Sequence, residues 1–383
     1  MGQPIQSNKI EERQQQRLII ISATNLTEAG PLSVLKDCLA HASSRLSGRF
    51  MILALVHDRS LLGEMPGVEF MEFPLAKKSW FIRLFYEWFV FNRLSLKLTP
   101  FLWFSLHDMT PRVQAQRRAV YCHNPAMFYP LTFSEALREP AFAMFNKFYP
   151  LAYRINIAQN DWVIVQQEWM RKEFIARYPV RNVIVAYPSI TLWDFRQGDT
   201  VKPGRVKTFF FPSYPRFFKN IEVIGEAARI LISQGKSNFE VLLTIDGTEN
   251  SYSRKLSRIF ADVSALKFIG LQTRERIYDL YKEADCLIFP SRLETWGLPI
   301  SEFKQFRKSI LAADLPYAHE TVGQYDLVRF FDPSNPKELA LRMEEFLDGR
   351  ISYDYCETKV PERPFAKDWD ELLDMLVADG EDA

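Results

Sequence analysis

Apolar positions along this chain alternate between two rhythms. Short unbroken runs read as strands buried on both faces: Arg17–Ala23 (RLIIISA), Phe50–Val56, Arg118–His123 (RAVYCH), Asp161–Gln166 and Asn182–Tyr187 in the first half. In the second half the corresponding runs are Val206–Phe211, Val241–Asp246, Lys267–Gly270, Cys286–Pro290 and Ser309–Ala312. Stretches with apolar residues three or four apart read as helices, as at Leu32, Leu35 and Leu39 within Leu32–Ala42. Glu168–Tyr178, Thr273–Lys282, Pro336–Leu347 and Asp368–Val377 follow the same spacing. Strand alternating with helix predicts an α/β protein whose parallel sheets are covered by helices.

Lys77–Leu106 breaks the rhythm. Wound as one helix, it lines up Ser79, Arg83, Glu87, Arg93 and Lys97 in a narrow polar stripe, and the rest is aromatic or aliphatic. Its recurring charges oppose a bilayer span, since each costs a few kcal/mol at the centre. Two readings stay open. A helix apolar nearly all round is usually buried in a core. The other reading is an interfacial surface, with Lys77, Lys78 and Arg83 on anionic lipid headgroups and Trp80, Phe81 and Trp88 at the acyl boundary.

A chain of 383 residues, 47% hydrophobic, is too long for one ordinary core and long enough for two. Residues 1–16 are a polar tail without the apolar centre of a signal peptide, which predicts a cytoplasmic protein. A first domain is expected over 17–195 and a second over 206–350, with the polar, Gly- and Pro-containing Arg196–Arg205 as linker and a last helix at 365–378. A net charge of +1 gives no global footprint for nucleic acid. The four cysteines lack CxxC spacing and read as free thiols. Five scattered histidines and no ligand-spaced cluster predict no metal. Asp368-Trp369-Asp370 sits where Asp caps a helix. A GxGxxG fingerprint is missing, which counts against a dinucleotide enzyme.

Chemistry concentrates at Ala284–Glu302, ADCLIFPSRLETWGLPISE. Here a strand, a loop carrying Glu294 and a helix opening with Pro299 meet, and Glu302 lies one turn into that helix. Carboxyl ends of strands in open α/β sheets are where ligands bind. A carboxylate can accept two hydrogen bonds from a vicinal diol. Upstream, Arg216 and Lys219 stand before another helix, placed to grip a diphosphate.

The spacing Glu294 to Glu302, with PS before it and WGLP within, resembles the E-x7-E signature of retaining GT-B glycosyltransferases of family GT4, the group 1 glycosyltransferases. The resemblance implies two Rossmann-like domains facing across a cleft, with a C-terminal helix crossing back to the first. It implies transfer of a hexose from a nucleotide-diphosphate sugar to a glycan or lipid-linked saccharide in cell-surface polysaccharide biosynthesis. The enzyme would work in the cytoplasm or peripherally at the inner face of the plasma membrane, against an anionic surface, with no cofactor beyond its donor. Glu294 would lie by the donor sugar and Glu302 by the ribose. In the R-x-x-K-N motif Arg216 and Lys219 would neutralise the diphosphate, while the backbone of Trp296, Gly297 and Leu298 holds sugar and phosphate. His123, in HNP after a strand, would stand by the anomeric centre. Gly30, in NLTEAGP, corresponds more weakly to a Gly-Gly pair whose first member is Ala29 here. Two rivals share these features: a phosphorylase, epimerase or hydrolase using the same donor half, and a catalytically silent subunit that binds a membrane or a partner glycosyltransferase.

Overall fold

The computed structural model describes residues 16–27, 29–190, 206–357 and 359–378, so the linker Arg196–Arg205 and nearly all of the tail 1–16 lie outside the described residues. The chain divides into two compact units, residues 1–189 with 361–383 (unit 1) and residues 190–360 (unit 2). The strands in chain order are β1 (Arg17–Ala23), β2 (Phe50–Val56), β3 (Val68–Glu72), β4 (Leu102–Ser105), β5 (Arg117–Cys122), β6 (Trp162–Val165), β7 (Val183–Ala186), β8 (Lys207–Phe211), β9 (Phe239–Leu243), β10 (Leu266–Phe268), β11 (Cys286–Phe289), β12 (Ser309–Ala313), β13 (Val328–Phe331) and β14 (Phe365–Ala366).

Unit 1 holds an eight-stranded sheet ordered β14-β7-β6-β5-β4-β1-β2-β3, and unit 2 a six-stranded sheet ordered β10-β9-β8-β11-β12-β13. All the pairings are parallel. In each sheet the chain starts near the middle, runs to one edge, then returns and runs to the other. The order therefore reverses between β1 and β4 and between β8 and β11, and such a reversal leaves a crevice at the carboxyl ends of those strands.

Burial on both faces explains why the strands are unbroken apolar runs. Ile19 and Ile21 of β1 pack with Leu35, Leu39 and the C-terminal helix Trp369–Val377, whereas Ile20 packs on the opposite face with Phe91 and Trp103. The C-terminal helix lies on the helix Ala29–Leu46. His41 Nδ1 is 2.7 Å from Asp370 Oδ1, Arg45 pairs with Asp374 at 2.6 Å, and Trp369 stacks on Tyr121 at 5.5 Å. Asp368 caps this helix by accepting the N–H of Glu371.

Lys77–Leu106 departs from the single helix expected for it. A helix at Trp80–Phe85, a π-helical turn at Tyr86–Val90 and a helix at Phe91–Leu98 end at Thr99, which is left-handed with φ 43°. Pro100 follows and cannot continue a helix, so Leu102–Ser105 becomes the fully buried β4. The polar stripe is also turned the other way. Ser79 caps the first helix, and Arg83 Nη2 donates to the carbonyl of His107 at 2.8 Å. Glu87 is buried with Oε1 3.2 Å from His107 Nε2. Phe81, Phe85 and Phe89 face outward instead. Arg83 is therefore not a rim cation, and Trp88 is half-buried. Four helices were not anticipated, Phe133–Arg138 and Pro140–Arg154 in unit 1 and Ser251–Ile259 and Pro316–Val322 in unit 2, the last where a loop through Tyr317–Thr321 is expected from sequence. No helix among the described residues is long and apolar enough to cross a membrane.

The Glu87 cluster makes stability depend on pH. Arg83 Nη2 also lies 3.2 Å from His107 Nδ1, and because guanidinium only donates, Nδ1 accepts and Nε2 carries the proton, which it shares with Ser22 Oγ at 3.2 Å. Burial pushes the Glu87 carboxyl from 4.5 up to about 8, against the opposing pull of Arg83. Burial, then Arg83, holds His107 well below its ordinary value. Between pH 4.5 and about 8 the unfolded chain ionises this glutamate while the folded chain keeps it protonated. This glutamate by itself should cost the folded state stability as the pH rises through that window, and the loss should show most plainly above 6.5, because below it the buried neutral His107 acts in the opposite sense. Glu87→Gln should melt with the wild type near the acid end and above it at the alkaline end. Equal melting temperatures at both ends would refute the assignment.

Candidate functional site

Two loops meet at the reversal in unit 2. In the loop after β8, the Ser213 N–H donates to Thr244 Oγ1 at 2.8 Å and the Thr244 hydroxyl donates back to the Ser213 carbonyl at 3.0 Å. Arg216 is extended and exposed, its guanidinium 5.3 Å from the Tyr214 ring. A short 3-10 turn, Phe217–Lys219, brings Lys219 back over the strand ends and leads to Asn220, left-handed at φ 58° and ψ 42°. Asn tolerates that conformation better than most residues. Its buried amide donates to the carbonyls of Pro290, at 3.1 Å, and Pro333, at 2.7 Å. The R-x-x-K-N motif thus ends in a strut that ties the first loop to the end of β11.

The second loop is fixed from several sides. The Ser291 carbonyl accepts the Tyr317 hydroxyl at 2.7 Å, and the Arg292 N–H donates to Phe218 O at 2.7 Å, stitching loop to loop. Lys219 Nζ consequently meets Glu294 Oε1 at 2.5 Å, with both side chains largely shielded from water. Trp296 is buried, its indole N–H donating to Ser301 Oγ at 2.9 Å and its carbonyl accepting from the Thr321 hydroxyl. Gly297 has φ 88°, and a Cβ there would come within 3.3 Å of the Phe289 ring, so conformation and space both call for glycine. The helix Leu298–Lys304 follows, with Pro299 in its first turn. Glu302 Oε2 accepts the Tyr281 hydroxyl at 2.8 Å, and Oε1 lies 3.7 Å from Arg274. Burial, then the charge of Glu302, pushes Tyr281 well above its ordinary pKa, so it remains a donor.

Arg216, Lys219, Glu294, Trp296, Gly297, Leu298 and Glu302 therefore all lie on unit 2, along the carboxyl side of β8 and β11. The two glutamates have different partners, an ammonium for Glu294 and a hydroxyl with a guanidinium for Glu302. His123 and Gly30 belong to unit 1. His123 follows β5, and Asp108, left-handed at φ 66° just after β4, accepts the N–H groups of His123 and Asn124 at 2.8 and 3.1 Å. The second oxygen of Asp108 takes the Tyr149 hydroxyl at 3.4 Å and stands 4.0 Å from His123 Nε2. Gly30 lies in the first turn of the helix Ala29–Leu46, which begins three residues before the Leu32 expected for it. A Cβ on it would meet nothing within 4 Å, so no steric demand of this chain explains it.

Asp108, Asn220, Tyr281 and Arg274 were missed from sequence. Asp108 had a signal, because Thr99-Pro100 ends a helix and the run LWFS then reads as a strand with His107-Asp108 at its tip. Asn220 offered its residue type just before a helix. Tyr281 and Arg274 carried no local mark of their partner. Replacing Asn220 with Ala should remove both amide bonds and place a side chain with no local compensation in the left-handed region. We expect unit 2 to lose about 2–4 kcal/mol in denaturant unfolding, whereas Arg216→Ala, at an exposed position, should leave the midpoint in place. Equal midpoints for all three proteins would remove Asn220 as the strut.

Residues 196–363 match the family model described as glycosyl transferases group 1. No curated protein matches the chain by sequence. Several solved structures share its fold. A glycosyltransferase from Rickettsia africae ESF-5 is 15% identical at TM-score 0.63, the match covering 87% of this chain and 89% of that one. Sucrose-phosphate synthase from Thermosynechococcus elongatus is 13% identical at TM-score 0.63, over 88% of this chain and 90% of that one. HepE from Anabaena, solved in complex with UDP-glucose, is 16% identical at TM-score 0.56, over 87% and 90%. At these identities the fold is what is shared. Residues 196–363 are similar to the group 1 glycosyltransferases, in a chain whose two parallel α/β sheets have the GT-B fold.

Proposed function

We propose that this chain is a retaining hexosyltransferase, moving a hexose from a nucleotide-diphosphate sugar to a glycan or lipid-linked saccharide in cell-surface polysaccharide synthesis. A first domain over 17–195 would take the acceptor and a second over 206–350 the donor, at the cytoplasmic face of the plasma membrane. The observation that carries the donor reading is the carboxyl side of β8 and β11, where two cations and two separately partnered carboxylates are gathered on one unit. The complex of HepE with UDP-glucose makes a uridine diphosphate sugar the first donor to try.

Each role follows from the chemistry of its group. Charge grows on the diphosphate as the glycosidic bond opens toward an oxocarbenium-like state, and fixed cations at Arg216 and Lys219 stabilise it there. An ammonium has three donors, so Lys219 can keep Glu294 and also take a phosphate oxygen. Glu294 is assigned to hydroxyls of the transferred sugar and Glu302 to the ribose diol, with backbone N–H groups of Trp296, Gly297 and Leu298 on sugar and phosphate. From unit 1, His123 is assigned to the chemistry at the anomeric carbon, with Asp108 setting the backbone of its loop.

A panel of nucleotide sugars, assayed for release of nucleoside diphosphate with and without a saccharide acceptor, tests the reading as a whole. Acceptor-dependent release is expected. A protein that binds nucleotide and never turns over would instead be a silent subunit. Arg216→Ala and Lys219→Ala should each weaken nucleoside-diphosphate binding by about 10- to 100-fold in calorimetry, the worth of a charged hydrogen bond. Glu302→Gln should lower nucleotide affinity, whereas Glu294→Gln should leave affinity nearly intact and depress kcat. Identical behaviour of the two variants would overturn the division of labour.

A further inference from the structure

We infer that two neighbouring helical segments of unit 1 form a docking surface for an anionic lipid bilayer. The helix Pro140–Arg154 is largely apolar, interrupted by Asn146 and Lys147 and ending in Arg154. Tyr149 and Tyr153 are buried on one side, yet Met144, Phe148, Leu151 and Ile155, spaced four, three and four apart, are exposed on the other. The short helix before it exposes Phe133, at 81%, and Leu137. The second segment is Trp80–Leu98, whose outward ridge runs through Phe81, at 85% exposure, Phe85 and Phe89. The two segments touch: the Trp80 ring meets Tyr149 edge-on at 6.0 Å, and Tyr149 stacks on Phe145 at 4.1 Å. Bare apolar ridges of this extent on a folded protein call for a cover.

Charge selects the cover. Residues 77–98 and 133–154 carry eight Lys and Arg against three Glu, in a chain whose net charge is only +1. Arg83 and Glu87 turn inward, and Glu135 is held in a capping box by Thr132. Lys78, Arg93, Lys97, Arg138, Lys147 and Arg154 remain exposed around the ridges. A second copy of the chain seated here would bring like charges together. A bilayer interface takes aromatic and aliphatic side chains without shape matching, while its anionic headgroups take the surrounding cations. The surface sharpens the membrane part of the reading above, from which it takes the idea of a lipid-linked acceptor, but its argument stands on unit 1 alone.

The test uses the full chain and two vesicle preparations, one of phosphatidylcholine and one of phosphatidylcholine with phosphatidylglycerol. The wild type should co-sediment with the anionic vesicles at low salt, less at high salt and least with the neutral ones. Phe81→Ser and Phe148→Ser should each lower partitioning about tenfold, the loss expected for one apolar side chain withdrawn from the interface. Both positions are solvent-facing, so melting temperature and nucleoside-diphosphate affinity should hold. Three results would overturn the proposal: no binding of the wild type to anionic vesicles, variants that bind like the wild type, or a lipid-free dimer that Phe148→Ser disperses. Retained nucleotide affinity alongside absent vesicle binding would sink this surface and leave the donor reading standing. Vesicle binding without nucleotide affinity would do the reverse.

Discussion

Hydrogen bonding of β11 to β8, with Cys286 opposite Phe209 and Leu287 opposite Phe210, is the constraint on which unit 2 depends. The loops that follow these strands are far apart in sequence, yet parallel neighbours end side by side. Lys219 and Glu294, 75 positions apart, meet because of that register. The amide of Asn220 then removes the remaining freedom, since its two acceptors, Pro290 and Pro333, follow different strands of the same sheet. Neither loop has a conformation of its own that would hold a charge in place. Each is held by the other.

Unit 1 applies the same topology to a different end. Its reversal lies between β1 and β4, and the groups gathered there are a buried acid, a buried imidazole and a guanidinium rather than an open set of charges. Asp108 stands beside them and works mainly on backbone, accepting two consecutive N–H groups. The polar material in unit 1 thus fixes loops at the strand ends. Because Arg83 and Glu87 serve that inner purpose, their helix has its aromatic side left over for the outside.

The sheets were legible because strands buried on both faces leave unbroken apolar runs, as RLIIISA and the run at Phe50–Val56 show. The loop motifs were legible for the opposite reason, being polar interruptions at the ends of such runs. Lys77–Leu106 was misread because a buried strand and an aromatic helix look alike without the Thr99-Pro100 break. Helical periodicity also says which residues share a side without saying which side is inward. Pro140–Arg154 escaped notice because its few polar residues, Asn146, Lys147 and Arg154, set up little contrast with the apolar rest. The partners of Glu294 and Glu302 were out of reach of local pattern, since strand order alone brings Lys219 and Tyr281 to them.

The return of the chain to unit 1 has a consequence for its synthesis. β14 pairs with β7, and the helix after it covers Leu35, Leu39 and Tyr121, so the sheet begun by the first 189 residues is closed by residues 361–378. A ribosome delivers those closing residues only after all of unit 2. Throughout that interval the nascent first half carries an unpaired edge at β7 and an uncovered apolar face beneath the missing helix, the two features that most invite wrong pairing. Unit 2, contiguous in sequence, has no such wait. Of the two units, the one begun first is thus the last to be finished, and any chaperone's opportunity lies in the time needed to translate residues 190–360.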